Sequence, residues 1–367
     1  MNTAPTEHAT ADALILGIES SCDETAAAVV RGGHAVLSNV IATQAELHVE
    51  YGGVVPEIAS RAHIERIGPV VQRALSDAGL TWESARDHVA AIAVGHRPGL
   101  IGSLLIGVTA AKALAWAWDK PLIGVDHIMA HLHAGSLNTS PPNFPALGLV
   151  VSGGHTSLFR MGGPTEMELL GRTIDDAIGE AYDKAAIMLG LGFPGGPIVD
   201  RRAQLGDSAA ERFPVSLLGK ASLDFSFSGL KTALLYAVRG LPEGRGKTTT
   251  FTRDAGDLPQ QRVNDLCASF QAAAVEAVML KIERALEAER ARGIAIQALV
   301  IGGGVSANSR LRAQAHALAA RRGLSLHLPA QAYCVDNAAM IAGLGYHLWK
   351  AGHRDGLELA AAPAGTY

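Results

Sequence analysis

The sequence predicts an α/β protein made of two duplicated halves with a central cleft. Two observations support this prediction. An apolar strand, a polar turn and a return strand occupy residues 13–30, and the same succession recurs at residues 146–161. Each copy is followed by helices and further strands, which is typical of a duplicated α/β lobe. We expect the tips of the two hairpins to face each other across the cleft.

The first half alternates strands with helices. Short apolar runs bounded by polar turns predict strands at 13–18, 26–30, 34–41, 90–94 and 122–125. Apolar residues at helical spacing predict helices at 56–78 and 100–118. The last of these strands runs directly into a segment that contains two histidines.

These histidines, His127 and His131, stand four residues apart within Val125–Gly135. If the segment is helical, both rings lie on one side, about 6 Å apart along the axis, and can bind one metal ion. A third ligand must then come from elsewhere in the chain. The alternative is that both are ordinary histidines on a helix face.

Two glycine-rich turns in the second half are candidate nucleotide-binding segments. Ser152–Thr156 follows the predicted strand 146–151, and Gly302–Asn308 follows the predicted strand 298–301. Glycine lets backbone N–H groups approach a phosphate closely, hydroxyls of Ser152 and Thr156 add donors, and Asn308 can bond a base or sugar. For the first turn, a plain β-turn is the alternative. The second lacks the spacing of a dinucleotide fingerprint.

The other segments of the second half are mostly helical. Helices are predicted at 173–184, 230–238, 263–292, 309–322 and 336–349. Thr173 is the predicted N-cap of the first, whose acidic residues can equally form a solvated charged face. The last is rich in small residues and can pack tightly. Residues 241–261 are predicted to be an exposed loop.

Composition limits the class of protein. At 367 residues with 48% hydrophobic content, the chain can bury a large core in two lobes. A net charge of −4 and 5% aromatic residues do not indicate a basic nucleic-acid-binding patch. We expect neither a signal peptide nor a membrane span, because the N-terminus is polar and no run reaches about 18 apolar residues. Three separated cysteines are expected to be reduced thiols.

Eight motifs, in their order and spacing, resemble those of the tRNA N6-adenosine threonylcarbamoyltransferase family, the bacterial TsaD proteins also known as Gcp or YgjD. The motifs are GIESSCDETAAAVV, HIMAH, LVVSGGHTSL, DDAIGEAYDKAA, GFPGGPIVD, DFSFSGLKTA, IGGGVSANSRLR and CVDNAAMIA. The likeness extends from about residue 14 to residue 349, nearly the whole chain. Each motif alone is a weak signal, but the set is specific.

The resemblance implies an actin-like fold of two α/β lobes, the ASKHA class that includes sugar kinases and Hsp70. We therefore expect residues 13–126 plus 336–355 to form lobe I and residues 127–335 to form lobe II. Residues 1–12 are expected to be a disordered extension and residues 356–367 a flexible tail.

The resemblance also implies a metal site and a nucleotide site. One Fe(II) ion per subunit, or zinc, would be held by His127, His131 and Asp336, a ligand set that leaves positions open for substrate. No catalytic residue separate from the metal site is implied. The implied nucleotide-binding residues are Val150, Val151, Ser152, Gly153, Gly154, His155, Asp183, Gly196, Asp200 and Asn308.

The implied reaction transfers a threonylcarbamoyl group from threonylcarbamoyl-AMP to the exocyclic amine of adenosine 37 in tRNAs that read ANN codons. Members of the family are cytoplasmic and work with a TsaB-like paralogue and a TsaE-like ATPase. A partner requirement suits a chain of net charge −4, which by itself should bind tRNA poorly unless basic residues cluster locally.

Two rival classes fit less well. A metallopeptidase of the zincin type needs glutamate directly after the first histidine, where this chain has Ile128. A kinase or ATPase of the same fold usually has aspartate where Glu19 stands, and it has no need of the histidine pair. The chain also departs from the family at Arg97, where glycine is usual, and at Met129, where some members have glutamate. An arginine at residue 97 can close a backbone approach or add a phosphate contact.

Overall fold

The computed structural model describes residues 11–216, 218–219, 221–242 and 251–365. The chain divides into two compact units. Unit 1 comprises Met1–Pro142, Met161–Met167 and His327–Tyr367, and unit 2 comprises Asn143–Arg160 and Glu168–Leu326. The predicted lobes separated the histidine segment from Asp336, whereas the structure places both in unit 1. Most of the predicted N-terminal extension lies outside the described residues.

Two five-stranded sheets are present in the described part of the chain. The first contains β1 (Leu14–Glu19), β2 (Glu24–Arg31), β3 (Ala35–Thr43), β4 (Val89–Arg97) and β5 (Leu122–Asp126), in the order β3-β2-β1-β4-β5. The second contains β6 (Ala146–Val151), β7 (Thr156–Met161), β8 (Met167–Arg172), β9 (Ala298–Gly302) and β10 (Ser325–His327), in the order β10-β9-β6-β7-β8. Taken from β8, the second order repeats the first. The predicted duplication is confirmed.

The helices connect these strands. They are α1 (Ala45–His48), α2 (Pro56–Asp77), α3 (Trp82–His88), α4 (Ile101–Trp118), α5 (His127–His133), α6 (Ile178–Met188), α7 (Gly195–Ala203), α8 (Ser228–Arg239), α9 (Gln260–Ala291), α10 (Ser309–Arg322) and α11 (Ala338–Lys350). Short 3-10 turns occur at Val49–Tyr51, Ala134–Ser136, Ala255–Asp257, Gly304–Ala307 and Gln331–Tyr333. Of the predicted loop 241–261, residues 243–250 lie outside the description, and α9 already begins at Gln260.

The predicted start of α6 was wrong. Thr173 was expected to be its N-cap, but the helix begins at Ile178. Thr173 instead forms a β-bridge with Phe225, and its hydroxyl donates to the carbonyl oxygen of Asp176 at 2.6 Å. These tertiary contacts hold the segment in a turn. Asp176 therefore lies ahead of the helix, whereas Glu180 and Lys184, both within it, form an i,i+4 ion pair at 2.7 Å.

Helix α11 packs very closely on β1. Successive strand residues point to opposite faces, so Ile15 lies in the core shared with α11, and Leu16 in the core shared with α2 and α4. A Cβ added at Gly17 would lie 2.4 Å from the carbonyl oxygen of Ala338. The small residues of α11 were predicted to allow tight packing against another helix, and here they permit the close approach to a strand. The packing also brings the start of α11 against α5.

The segment after α11 corrects the prediction of a flexible tail from residue 356. Just before it, the Asp355 N–H donates to the carbonyl oxygen of Leu122 at 2.9 Å, and its carboxylate accepts from the Gly124 N–H at 2.7 Å. Further on, the Ala362 N–H donates to the carbonyl oxygen of His96 at 2.9 Å. The segment thus covers β5, the edge strand of the first sheet, and an uncovered edge is a liability.

Helices α4 and α9 meet the length and hydropathy of a membrane span. No stretch of this kind was predicted from the sequence. In the structure α4 packs against α2 and β4, and the apolar stripe of α9, which includes Leu266, Phe270 and Val278, is buried within unit 2. Core helices of this kind satisfy the same length and hydropathy criteria, so neither helix is strong evidence for a membrane protein.

Acidification is expected to destabilise unit 1 through His347. Burial is the main cause that lowers the pKa of His347 to about 3, with help from His133 and Lys350. In the unfolded chain His347 binds a proton near pH 6.5, whereas in the folded chain it binds one only near pH 3. Stability is therefore lost as the pH falls from about 6.5 toward 3. We expect a loss of about 1 kcal/mol at pH 5, allowing for partial exposure. Urea unfolding at pH 7 and pH 5 measures it, and His347→Gln should show a smaller difference between the two pH values.

Candidate functional site

The two histidines lie on one helix, as predicted. Asp126, the last residue of β5, caps α5: its Oδ1 accepts from the N–H groups of Ile128 at 3.0 Å and Met129 at 3.2 Å. The helix begins at His127, and the rings of His127 and His131 stack edge to face with centroids 4.6 Å apart. Both side chains therefore present nitrogen atoms to the same point.

Asp336 completes a group of three metal-type ligands within unit 1. Its Oδ1 lies 3.4 Å from His127 Nε2 and 3.2 Å from His131 Nε2, and the three ligand atoms lie within 4.8 Å of one another. Asp336 precedes Asn337, the N-cap of α11, whose Oδ1 accepts from the Met340 N–H at 3.0 Å. The cap and the close packing of α11 fix the position of this carboxylate.

His131 shows that these residues suit a metal ion. Its side chain is fully buried, yet neither ring nitrogen has a hydrogen-bond partner. The contact with Asp336 has ion-pair distance without hydrogen-bond geometry. Leaving a buried polar atom unpaired costs about 1–3 kcal/mol, and a metal ion bound at Nε2 would remove that cost there. Two imidazoles and one carboxylate form a ligand set typical of non-haem Fe(II) and also used by zinc.

The electrostatics of the site favour a cation. Burial lowers the pKa of His131, which keeps the ring in the neutral, metal-binding form. Burial also opposes charge on His127, but Glu19 and Asp336 raise its pKa well above the usual value. For Asp336, burial opposes ionisation, yet His127 and His131 hold its pKa well below the usual range. The carboxylates of Glu19 and Asp336 thus stabilise positive charge at the buried ring of His127.

Three further polar residues near this site, Glu19, Ser21 and Glu24, were not among the predicted site residues. Glu19 Oε2 lies 2.9 Å and Ser21 Oγ lies 3.2 Å from His127 Nδ1. Burial and the charge of Asp336 raise the pKa of Glu24 to about 9. The polar tip of the first hairpin was the only signal for these residues, and it did not indicate which histidine they would meet.

Arg97, the departure from the family pattern, pairs with the residue that caps α5. Its Nε lies 3.3 Å from Asp126 Oδ2, and the Asp126 side chain is only 4% exposed. One oxygen of Asp126 therefore caps the helix while the other meets a cation. The structure thus places Arg97 in support of the histidine helix.

Arg97→Ala is expected to lower stability by about 1–3 kcal/mol, because it removes the contact of the Arg97 cation with the buried carboxylate of Asp126; Arg97 is partly exposed, so the cost is below that of a fully buried pair. Thermal unfolding measures the change. In the double variant Arg97→Ala/Asp126→Asn, the amide oxygen still caps α5 and the buried negative charge is gone, so most of the stability should return. A double variant no more stable than Arg97→Ala would contradict this account.

The predicted nucleotide-binding turns lie side by side at the carboxyl ends of two inner strands of the second sheet. Strands β6 and β9 are parallel, with Val150 opposite Gly302, so the turns that follow them leave the same edge. Gly303 has a φ of +93°, and a Cβ there would lie 2.4 Å from the carbonyl oxygen of Val151. In open α/β sheets this is the edge where ligands bind.

The first turn is tight and exposes its glycines. The Ser152 N–H donates to the carbonyl oxygen of His155 at 2.8 Å, and Gly153 and Gly154 have open space where a Cβ would be. The two hydroxyls predicted to be ligand donors also accept backbone bonds: Ser152 Oγ from the His155 N–H, and Thr156 Oγ1 from the Ile178 N–H at 2.8 Å. Each keeps an O–H that can donate. Both side chains are buried, so the exposed part of the turn is the backbone of Gly153 and Gly154.

The polar residues implied for nucleotide binding contact other protein groups. Asp183 Oδ1 accepts from the Gly195 N–H at 2.7 Å at the start of α7. Asp200 Oδ1 accepts from Ser309 Oγ at 2.7 Å, and Asn308 Nδ2 donates to Gln271 Oε1 at 2.8 Å. These bonds tie α7, α9 and α10 together. Gly196 has open space around it. A ligand-binding role for these residues stays a prediction.

Comparison with known proteins decides the family. The family model described as TsaD, tRNA N6-adenosine threonylcarbamoyltransferase, matches residues 35–343. The chain belongs to the TsaD family. Among proteins named tRNA N6-adenosine threonylcarbamoyltransferase, that of Symbiobacterium thermophilum is 50% identical over 352 residues, covering 96% of each chain. That of Anaeromyxobacter dehalogenans strain 2CP-C is 51% identical over 353 residues, covering 95% of this chain and 98% of its own.

Solved structures support the fold alone. HypF from T. kodakarensis matches 92% of this chain and 48% of its own, with a TM-score of 0.55 at 15% identity. Component A of the (R)-2-hydroxyglutaryl-CoA dehydratase of Acidaminococcus fermentans matches 93% and 100%, with a TM-score of 0.51 at 14% identity. The predicted actin-like α/β class is confirmed. As a TsaD family member the chain is a tRNA-modifying transferase, and this reading stands over the kinase and peptidase alternatives.

Proposed function

We propose that the chain transfers a threonylcarbamoyl group from threonylcarbamoyl-AMP to the exocyclic amine of adenosine 37 in tRNAs that read ANN codons. One divalent ion, Fe(II) or zinc, would be held by His127, His131 and Asp336. The observation that carries the metal proposal is the convergence of these three ligand atoms at one point, together with the absence of a hydrogen bond at either buried nitrogen of His131.

The reaction exchanges one bond to the carbamoyl carbon for another. The adenosine amine nitrogen bonds to that carbon, the bond from the carbon to a phosphate oxygen breaks, AMP leaves and the amine proton passes to solvent. A bound divalent ion would supply Lewis-acid stabilisation of charge on the carbonyl oxygen. Neutral His131 and ionised Asp336 provide its ligands, while Glu19 and Ser21 hold the ring of His127.

The AMP portion of the donor is proposed to bind at the carboxyl ends of β6 and β9 in the second sheet. The exposed backbone of Gly153, Gly154 and Gly196 can approach a phosphate closely. Val150, Val151, Ser152 and His155 shape the first turn, while Asp183, Asp200 and Asn308 hold the helices around it. In this proposal those polar side chains act mainly by fixing the backbone that meets the nucleotide.

The proposal is tested with metal-free protein, threonylcarbamoyl-AMP, unmodified tRNA and the TsaB-like and TsaE-like partners. Nucleoside mass spectrometry should detect threonylcarbamoyladenosine only after Fe(II) or zinc is restored. Modification that survives complete metal removal would overturn the metal proposal. No modification with every component and metal present would overturn the donor assignment. We place this activity in the cytoplasm, where unmodified tRNA is available.

The TsaB-like partner is proposed to cover the outer side of α2 and α4. These helices pack so closely that a Cβ at Gly102 would lie 3.2 Å from Ser60 Cβ. One turn away on each helix, Ile64 and Leu105 are 61% and 49% exposed. Apolar side chains on two adjacent helices are typical of a protein interface.

Leu105→Glu is therefore expected to weaken association with the paralogue by at least about tenfold, since a buried apolar contact becomes a desolvated charge. Calorimetric titration of one purified protein with the other measures this. Leu205→Glu, at a 65% exposed residue of unit 2, is the control and should bind normally. Equal weakening by both variants, or by neither, would contradict this location.

A further inference from the structure

We propose that Glu19 is a positioning residue for metal binding: it sets the orientation of the His127 ring and the ring nitrogen that carries the proton. The inference rests on the proposed metal site and goes beyond its three ligands. It assigns a role to a carboxylate of the first hairpin that does not itself reach the ligand group.

The geometry places Glu19 behind the ligand. His127 has two ring nitrogens: Nε2 faces Asp336 at 3.4 Å, and Nδ1 faces Glu19 Oε2 at 2.9 Å. With a metal ion bound at Nε2, the ring would keep its proton at Nδ1, where Glu19 Oε2 is placed to accept it. Ser21 Oγ also lies 3.2 Å from Nδ1, but a hydroxyl can donate or accept and does not define the proton position.

Glu19 is itself held on both sides. Its side chain is fully buried at the end of β1, and its other oxygen accepts from the Ser21 N–H. A Cβ at Gly95 of β4 would lie 2.6 Å from Glu19 Oε2, so this glycine leaves the space that the carboxylate occupies. A neighbouring strand thus accommodates the carboxylate in the position that reaches His127.

The turn that follows Glu19 is fastened to α4. The carbonyl oxygen of Ser21 accepts from the Leu100 N–H at 2.8 Å. Ser20 Oγ donates to the carbonyl oxygen of Ser103 at 2.8 Å and accepts from the Gly107 N–H at 3.1 Å. These bonds fix the position of the turn, and with it the position of the Glu19 carboxylate that contacts the ring of His127.

Charge balance gives Glu19 a second effect. A divalent ion with two neutral imidazoles and Asp336 would keep one unit of positive charge in a buried site. The Glu19 carboxylate would cancel that charge, and burying an uncompensated charge is costly. Outer carboxylates of metal-binding histidines typically account for 10- to 100-fold in metal affinity.

Two variants separate orientation from charge. Glu19→Gln keeps an oxygen that can accept from Nδ1 but removes the charge, and Glu19→Ala removes both. Cobalt(II) binding to the metal-free full-length chain is followed by chelator competition for affinity and by visible absorption for site geometry. We expect Glu19→Ala to lose about 10- to 100-fold in affinity with an altered spectrum. Glu19→Gln should lose less affinity and keep the wild-type spectrum.

The controls separate this inference from the metal site itself. Asp23→Asn removes a carboxylate from the same turn and should change cobalt affinity less than threefold. If neither the wild type nor His131→Ala binds cobalt, the proposed metal site fails. If the wild type binds and His131→Ala does not, yet Glu19→Ala matches the wild type in affinity and spectrum, only the role of Glu19 is overturned. The isosteric glutamine variant keeps the test decisive if the alanine variant does not fold.

Discussion

His131→Ala is expected to abolish metal binding and transfer activity while leaving the fold intact. The ring is fully buried with both nitrogens unpaired, so its removal relieves a polar burial cost of about 1–3 kcal/mol and offsets the cavity it leaves. Metal-free protein should therefore unfold near the wild-type temperature. Elemental analysis measures bound metal, and nucleoside mass spectrometry measures transfer.

The same variant should lose the stabilisation that the metal gives. At a free metal concentration 100 times Kd, binding stabilises the wild type by about 2.7 kcal/mol, whereas His131→Ala should show no such increase in Tm. His133→Gln is the matched control on the same helix, because glutamine can still donate to the Gly33 carbonyl oxygen, which His133 Nε2 contacts at 2.8 Å. Full metal content and activity in His131→Ala would refute the metal site.

Asn308→Ala is expected to destabilise unit 2 by about 2–4 kcal/mol. Its Oδ1 caps α10 by accepting from the Leu311 N–H at 3.0 Å, and loss of such a cap costs about 1 kcal/mol. Its Nδ2 satisfies the buried Gln271, which would otherwise cost about a further 1–3 kcal/mol. Urea unfolding measures stability, and calorimetry measures AMP affinity, which should fall because the glycine turn before α10 loses its anchor.

Asn308→Ser serves as the control because a serine hydroxyl can still cap the helix. It should recover about the capping share of the loss but not the share from Gln271. If Asn308→Ala kept wild-type stability and lost only AMP affinity, the side chain would face the nucleotide, in conflict with the hydrogen bonds described here.

The sequence predicted local features well because they depend on neighbouring residues. Apolar runs and helical spacing located the strands of both hairpins, and the four-residue separation of His127 and His131 placed them on one helix face. Asp336 came only from the family resemblance, since nothing in spacing joins it to residues so far away in the chain. Distant contacts were missed for the same reason: Glu19 with His127, Arg97 with Asp126, and the C-terminal segment with β5.

The nucleotide-site residues show the limit most clearly. The family resemblance implied that Asp183, Asp200 and Asn308 contact a nucleotide, and only for Asn308 did the glycine-rich turn before it suggest the same. In the structure their oxygens and amide bond to Gly195, Ser309 and Gln271. A carboxylate or an amide can bond to protein and to a ligand at the same time, so the nucleotide-binding role of these residues stays a prediction.

The repeated strand order has a consequence for where the candidate metal ligands lie in the duplication. In the first repeat, the segment after the fifth strand, β5, carries His127 and His131. In the second repeat, the segment after the corresponding strand, β10, carries Asp336. In both copies this segment leads into a helix, and the candidate ligands lie within α5 or just before the N-cap of α11. A polypeptide with either repeat alone would therefore hold only part of the ligand group.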